Sequence, residues 1–219
     1  MKITKNRQGK EAKFHIREGT KDELIIDEVL AGNTYFDRSF GNFRDGNIVI
    51  DIGAHIGSFA IDAALRGATV VCYEPHPDNF ALLLKNIELN GLTNRIKPIN
   101  KAVSNTAGSF DLYLDSINSG SHSLNKLFVD NPTKDKIKVE VLKFSNILIG
   151  FKKVELLKLD CEGGEYNILL GTNLRGVKNI RAELHDRNRF GQLLQYLLDN
   201  GFRVSGQHDK RLGKVKANR

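Results

Sequence analysis

The run Ile48-Val49-Ile50-Asp51-Ile52, closed by Gly53, constrains this chain more than any other segment. Its β-branched side chains show no polar alternation, which predicts a strand buried on both faces. Gly53 and Gly57 bracket a turn, and Phe59, Ala60, Ala63 and Ala64 then recur at helical spacing up to Gly67, a C-terminal stop. Val70-Val71-Cys72-Tyr73 is the next strand, and Glu74 stands at its end. Strand, glycine turn, helix and strand make a βαβ unit, whose cleft at the carboxyl ends of the strands can hold a nucleoside.

Glycines and acids indicate which nucleoside. The dinucleotide fingerprint G-x-G-x-x-G needs its second glycine so that backbone can approach a pyrophosphate, and His55 occupies that position. The pattern is instead D-x-G-x-x-x-G, with Asp51 at the strand end. A carboxylate there repels phosphates but suits a ligand carrying an ammonium and a sulfonium, while the N–H groups of the turn take that ligand's carboxylate. S-adenosylmethionine has this charge pattern. Glu74, about 20 residues past the turn, is placed to accept from both ribose hydroxyls.

A chain of 219 residues with 40% hydrophobic content suits one sizeable α/β domain. We expect residues 1–45 to form an N-terminal segment whose helix, Asp22 to Leu30, lies across the edge of the cleft, and residues 46–219 to form the main domain with a basic C-terminal tail. No apolar run approaches the ~20 residues of a membrane span. The basic residues of Met1 to Arg7 have no apolar segment behind them, which does not read as a secretory signal. Cys72 and Cys161 lack metal-ligand spacing and suit a reducing, cytoplasmic setting. The net charge of +7 gathers near the ends, at Lys2, Lys5, Arg7, Lys10 and Lys13 and again at Lys210, Arg211, Lys214, Lys216 and Arg219. It admits an anionic partner such as RNA, but basic tails are more often solvated, so RNA is the minor expectation.

Further along, Gly32-Asn33-Thr34-Tyr35 reads as a turn, with Tyr35 as packing. Pro75-His76-Pro77-Asp78 is a turn with Asp78 as cap for a helix carrying Phe80, Leu83, Leu84, Ile87 and Leu89. After a strand from Ile96 to Ile99, Asn100-Lys101-Ala102 either meets an adenine or is a plain loop. Ser109 to Leu114 and Ile137 to Leu142 alternate as strands with one wet face, departing from simple βα alternation. The polar loop Ser116 to Ser123 between them is mobile filler or part of a substrate site.

Val154 to Leu159 is a core strand leading into Asp160-Cys161-Glu162-Gly163-Gly164-Glu165. Carboxylates crowded at the C-terminal end of a parallel strand are costly without a task. Glu165 reads as a helix cap. Ile180 to Asp186 is another strand, which brings Glu183 and His185 to one face at the same edge, as a base, a metal pair or ordinary hydrogen-bonded structure. Phe190 to Asn200 is a helix, and Phe202-Arg203-Val204 begins a last strand.

Several segments together resemble the FkbM family of S-adenosylmethionine-dependent methyltransferases. They are Val49 to Gly57, Tyr73 to Phe80, Asn90-Gly91-Leu92, Ala102-Val103-Ser104, Leu157 to Glu165 and Glu183-Leu184-His185, and they span residues 45 to 205 or so in the family's order. His55 and His76 stand where such proteins often carry asparagine, and Gly164 where alanine is common. The resemblance implies a class I methyltransferase fold: an open twisted sheet, mostly parallel with an antiparallel last strand, and helices on both faces. It also implies methylation directed at a hydroxyl oxygen, on a small molecule or sugar. The expected cofactor residues are Asp51, Gly53, Ala54, His55 and Gly57, then Glu74 and Pro75, then Lys101, Ala102 and Asp160. Asp160, Glu162, Glu183 and His185 are the candidates for catalysis or substrate contact. A metal bridging Asp160 and Glu183 lacks ligand spacing, so none is expected. The rival readings are an RNA methyltransferase using the basic ends and a non-catalytic nucleoside-binding or scaffold protein.

Overall fold

The computed structural model describes residues 1–31, 34–36, 41–208 and 213–219. The chain opens with a hairpin, β1 (Lys2–Lys5) and β2 (Glu11–Phe14), followed by α1 (Asp22–Leu30). The βαβ unit follows as β3 (Ile48–Ile52), α2 (Ser58–Leu65) and β4 (Thr69–Tyr73), then α3 (Pro77–Leu89) and β5 (Ile96–Ile99). An inserted sheet comes next: β6 (Ala102–Ser104), β7 (Gly108–Asp115) and β8 (Pro132–Lys143). After α4 (Phe144–Ile149) the main sheet resumes with β9 (Leu156–Leu159), α5 (Glu165–Leu170), β10 (Asn179–Leu184), α6 (Phe190–Asp199), β11 (Arg203–His208) and β12 (Gly213–Asn218).

The main sheet has 7 strands in the order β11-β12-β10-β9-β3-β4-β5. Every neighbouring pair is parallel except those of β12, which runs antiparallel between β10 and β11. Strand alternation divides the core. Val49, Val70 and Leu156 face α1, α2 and α3, whereas Ile50, Val71, Leu157 and Ile180 face α4, α5 and α6. Ala12, Phe14 and Phe43 belong to the first of these clusters, so the N-terminal segment shares the core of the sheet. No helix among the described residues is long and apolar enough to cross a membrane.

Several details differ from the sequence expectation. The C-terminal basic stretch is not a solvated tail: Gly213–Asn218 is β12, hydrogen-bonded on both edges. Arg219 is tied down through its guanidinium to the carbonyls of Val177 and Asn200. At the other end Lys2 pairs with Glu23 at 2.9 Å and Asp27 at 3.0 Å, and Arg7 donates to Ala31 O at 2.9 Å. The expected turn residues Gly32 and Asn33, and the tail residues Lys210 and Arg211, lie outside the described residues. The α3 cap is His76, whose Nδ1 accepts from Asp78 N at 3.3 Å, rather than Asp78. Glu165 does not cap α5. Its carboxylate accepts from Cys161 N at 2.9 Å and Gly163 N at 3.1 Å, pinning the loop that precedes the helix.

Asp51 and Lys158 are register partners on β3 and β9, so their side chains stand together on the face covered by α2. Both are buried, and their ion pair measures 3.1 Å. Burial pushes the Asp51 carboxyl up to about 6, with Lys158 opposing that rise. For Lys158 burial works against the charge, but Asp51 and Asp160 outweigh it and hold the ammonium above its ordinary value. Breaking a buried pair by removing one member strands the other charge. Lys158→Met therefore costs ~3–5 kcal/mol in urea unfolding, and adding Asp51→Asn recovers a large part of that loss. Equal stability of the single and double variants would contradict this account.

Candidate active site

The carboxyl ends of β3, β4, β9 and β10, closed over by the inserted sheet and the 116–125 segment, surround a cavity of about 370 Å³. Gly53 begins its floor. Its N–H and that of Ala54 donate to Tyr73 O at 3.1 and 3.0 Å, turning the chain out of β3. The backbone there has φ +82°, and a Cβ would run into the Asp160 carbonyl oxygen, so only glycine fits. Gly57, at φ +98°, starts α2 against Leu83.

Glu74 lies on the wall at the end of β4. Its buried carboxylate accepts from the backbone N–H groups of His55 at 2.8 Å and His76 at 2.9 Å, and from Asn79 Nδ2 at 3.3 Å. Nearby, the His55 Nε2 lies 3.0 Å from Ser119 Oγ, 3.1 Å from Arg17 Nη2 and 3.3 Å from Asp22 Oδ1. Asn79 Nδ2 also donates to Ser119 O at 2.8 Å. The polar loop 116–123 is thus latched across the cavity, with Ser119, Gly120 and His122 in its lining. Burial raises the Asp22 carboxyl, but hydrogen bonds from His55 and Arg17 outweigh it and hold the group far below the usual range.

On the opposite wall the Tyr35 hydroxyl donates to Asp160 Oδ2 at 2.8 Å and lies 3.4 Å from Glu183 Oε2. His185 is clasped between Glu162, 3.0 Å from Nε2, and the buried Glu165, 3.1 Å from Nδ1.

Residues 51–204 match the model of the methyltransferase FkbM domain. The chain belongs to the FkbM methyltransferase family. It is 27% identical over 229 residues to the 31-O-demethyl-FK506 methyltransferase FkbM of Streptomyces tacrolimicus, covering 89% of this chain and 86% of that protein. Its fold is that of class I methyltransferases. The crystal structure of precorrin-6y C5,15-methyltransferase from Geobacter metallireducens GS-15 superposes with a TM-score of 0.52 at 11% identity, over 94% of this chain and 93% of that one. M. capricolum TrmK in complex with S-adenosyl-homocysteine does so with a TM-score of 0.50 at 12% identity, over 89% of this chain and 67% of that one.

This FkbM methyltransferase uses S-adenosylmethionine, and the cavity fits that group by its charge. Glu28, Glu74, Asp160, Glu162 and Glu183 line it against Lys101 as the single Lys or Arg among the described lining residues, which suits a ligand carrying a sulfonium. The buried His55 Nδ1, on the same lining, has no hydrogen-bond partner and is available to a bound group.

The expected site residues divide. Gly53, His55, Glu74, Pro75, Lys101, Ala102, Asp160, Glu162 and Glu183 line the cavity. Asp51 does not: it is paired with Lys158 beneath the turn, so the ammonium it was expected to hold is supplied by the protein itself. Ala54 and Gly57 shape the turn from below. Tyr35, expected only to pack, does pack on Phe59 with ring centroids 5.2 Å apart, and its hydroxyl also joins the two acids. Ser119 lies in the polar loop expected to be filler or part of a substrate site, whereas Arg17 and Asp22 carried no motif that could have marked them.

His185 is not the base it was considered to be. Burial lowers its pKa, but Glu165, Glu162 and Asp160 outweigh that and raise it to about 10. These neighbouring acids favour its imidazolium form. Asp160, Glu162 and His185 offer atoms within 4.8 Å of one another, the span of a divalent-ion site. The raised pKa means the ion pairs stabilise the fold fully below the unfolded value of about 6.5, and the gain is lost as pH climbs toward 10. Nitrogen NMR of His185 will show the doubly protonated ring persisting above about pH 8, and Glu165→Gln will bring the midpoint down by at least about one unit. A wild-type midpoint near the unperturbed value would refute the arrangement.

Proposed function

We propose that this methyltransferase acts on a hydroxyl oxygen of a small molecule or sugar, with Glu183 as the proton acceptor and Asp160 beside it. The observation that carries this reading is the Tyr35 hydroxyl shared between Asp160 and Glu183 at the cavity wall. Burial, with the charges of Asp160 and Glu183 beside it, raises the Tyr35 hydroxyl well above its ordinary value, so it stays a donor and keeps the two carboxylates oriented. Burial and the neighbouring Asp160 push the Glu183 carboxyl up to about 7, the range in which a general base works best at neutral pH. Burial likewise raises the Cys161 thiol well above the usual range, which disfavours its thiolate. The relative named for a 31-O-demethyl substrate supports an oxygen acceptor.

S-adenosylmethionine would be held by Gly53, His55, Glu74, Pro75, Lys101 and Ala102, and would supply an electrophilic methyl group whose sulfur departs with the C–S electron pair. Glu74 would accept from the ribose hydroxyls. Glu183 takes the proton that the acceptor oxygen loses, and the latched loop keeps water from the reacting atoms. Glu162, held by the His185 imidazolium, is left to contact the acceptor. Several cations at the chain ends bind within the protein, which favours a small acceptor over RNA. Both cysteines are free thiols, in keeping with a reducing compartment such as the cytoplasm.

Calorimetry tests the reading first. The protein binds S-adenosylmethionine and S-adenosylhomocysteine, and Glu74→Gln weakens both about 10- to 100-fold. A folded wild type that binds neither would end it. For any acceptor turned over, the base form of Glu183 accumulates as pH rises through about 7, so kcat/KM climbs about tenfold per unit below that value and then levels. Glu183→Gln removes this limb and leaves S-adenosylhomocysteine binding intact; an unchanged profile would assign the base elsewhere.

A further inference from the structure

A second cavity, of about 460 Å³, adjoins the cofactor cavity, and Thr34, Tyr35 and Glu183 belong to the walls of both. The rest of its lining includes Arg181, Ser205, Lys214 and Lys216. Register dictates this grouping. β10 and β12 pair antiparallel with Glu183 opposite Lys214 and Arg181 opposite Lys216, while Ala182, Leu184, Val215 and Ala217 point into the opposite core. Arg181, Glu183, Lys214 and Lys216 therefore project from one face of the sheet.

The two cavities have opposite electrostatic character. Among the charged side chains lining the first, carboxylates outnumber the one lysine, which suits a cationic methyl donor. In the second Glu183 is the single carboxylate beside Arg181, Lys214 and Lys216 among the described lining residues, an environment that attracts anions and repels cations. Lys214 is exposed, so its ammonium can meet a ligand arriving from solvent. Glu183, on the shared wall, faces the donor on one side and this basic recess on the other.

We propose that the second cavity is the acceptor site and that the acceptor is an anionic hydroxyl compound, its carboxylate or phosphate held at Lys214 while its hydroxyl reaches Glu183. This rests on the S-adenosylmethionine-dependent O-methylation proposed above and names the substrate class for it. A neutral polyol gains nothing from the basic lining, and an amine is repelled by it. The anion also orients the acceptor, because fixing one end at Lys214 leaves the hydroxyl to swing only toward the wall that carries Glu183.

The test uses the full chain saturated with S-adenosylhomocysteine, titrated with inorganic phosphate and separately with acetate, and followed by amide NMR. Expected are shifts centred on the β10 and β12 amides, larger for whichever anion matches the natural group, and their loss in Lys214→Glu. No shift there with either anion at tens of millimolar, or equal shifts in Lys214→Glu, would overturn the assignment. Kinetics supply a second arm, with matched acceptors such as glycerol 3-phosphate and glycerate against glycerol, or glucose 6-phosphate and glucuronate against glucose. Turnover favours the anionic members, and Lys214→Glu lowers kcat/KM for them at least about tenfold more than for the neutral members, the effect of the new charge on Glu183 being common to both, with S-adenosylhomocysteine affinity retained. A neutral member turned over as well as its anionic counterpart would refute the proposal. Failure of the wild type to bind S-adenosylhomocysteine would instead sink the O-methylation reading beneath it.

Discussion

One ammonium group, that of Lys158, ties together the parts on which the site depends. It pairs with Asp51 on β3 at 3.1 Å, donates to the Gly53 carbonyl in the turn at 2.6 Å, and lies 5.5 and 5.9 Å from the ring centroids of Tyr35 and Phe59. A charge in a dry interior survives only where partners surround it, so these contacts fix one another's positions. Asp51 sets where the ammonium stands, the ammonium sets the turn, and the aromatic wall closes over both. Tyr35 is then presented to Asp160 and Glu183 from a packed position, which is what lets a hydroxyl on a loop act as a precise donor.

The same economy governs the two loops that meet at the cavity. Among the described residues His55 and Glu162 are the non-glycine positions with positive φ, at 51° and 56°, and they lie on opposite sides of the site. Each such conformation costs on the order of 1–3 kcal/mol and persists only if its surroundings over-determine it. In both cases a buried carboxylate does so by accepting backbone N–H groups: Glu74 holds those of His55 and His76, and Glu165 holds those of Cys161 and Gly163. Such bonds are charge-assisted and stronger than amide–amide ones. Glu165 also acts on the neighbouring cluster: with Glu162 and Asp160 it raises the His185 pKa, and a charged His185 in turn opposes the burial that raises Glu162.

The sheet was legible because it rests on local patterns. The apolar β-branched run at Ile48–Ile52, the strand at Ile96–Ile99 and the helical spacing from Phe80 to Leu89 survive into the structure. The acids at strand ends were legible too, since Glu74, Asp160 and Glu183 follow directly on buried runs. What stayed hidden depends on partners distant in sequence. Arg17, Asp22, His55 and Ser119 meet in space across separations of up to 102 residues, and nothing in any one of their neighbourhoods announces it. Asp51 misled for a related reason: its charge was read against a ligand, whereas its register partner Lys158 carries the compensating charge. β12 was hidden by composition, because lysines alternating with Val215 and Ala217 look like a basic tail until a sheet buries alternate residues.

That strand sets the acceptor site proposed above apart from the cofactor side within one sheet. The cofactor side is built by β3, β4 and the inserted sheet, whereas β12 enters between β10 and β11 and pairs with no strand of that side. Antiparallel insertion places the first residues of β12, Gly213 and Lys214, beside Leu184 and Glu183 at the carboxyl end of β10. A parallel strand in the same slot would bring its last residues to that edge instead. The side chain that follows Gly213 therefore sets the charge opposite Glu183 from a strand that is not hydrogen-bonded to β3, β4 or β9, and under the acceptor site proposed above a substitution there would act on acceptor choice.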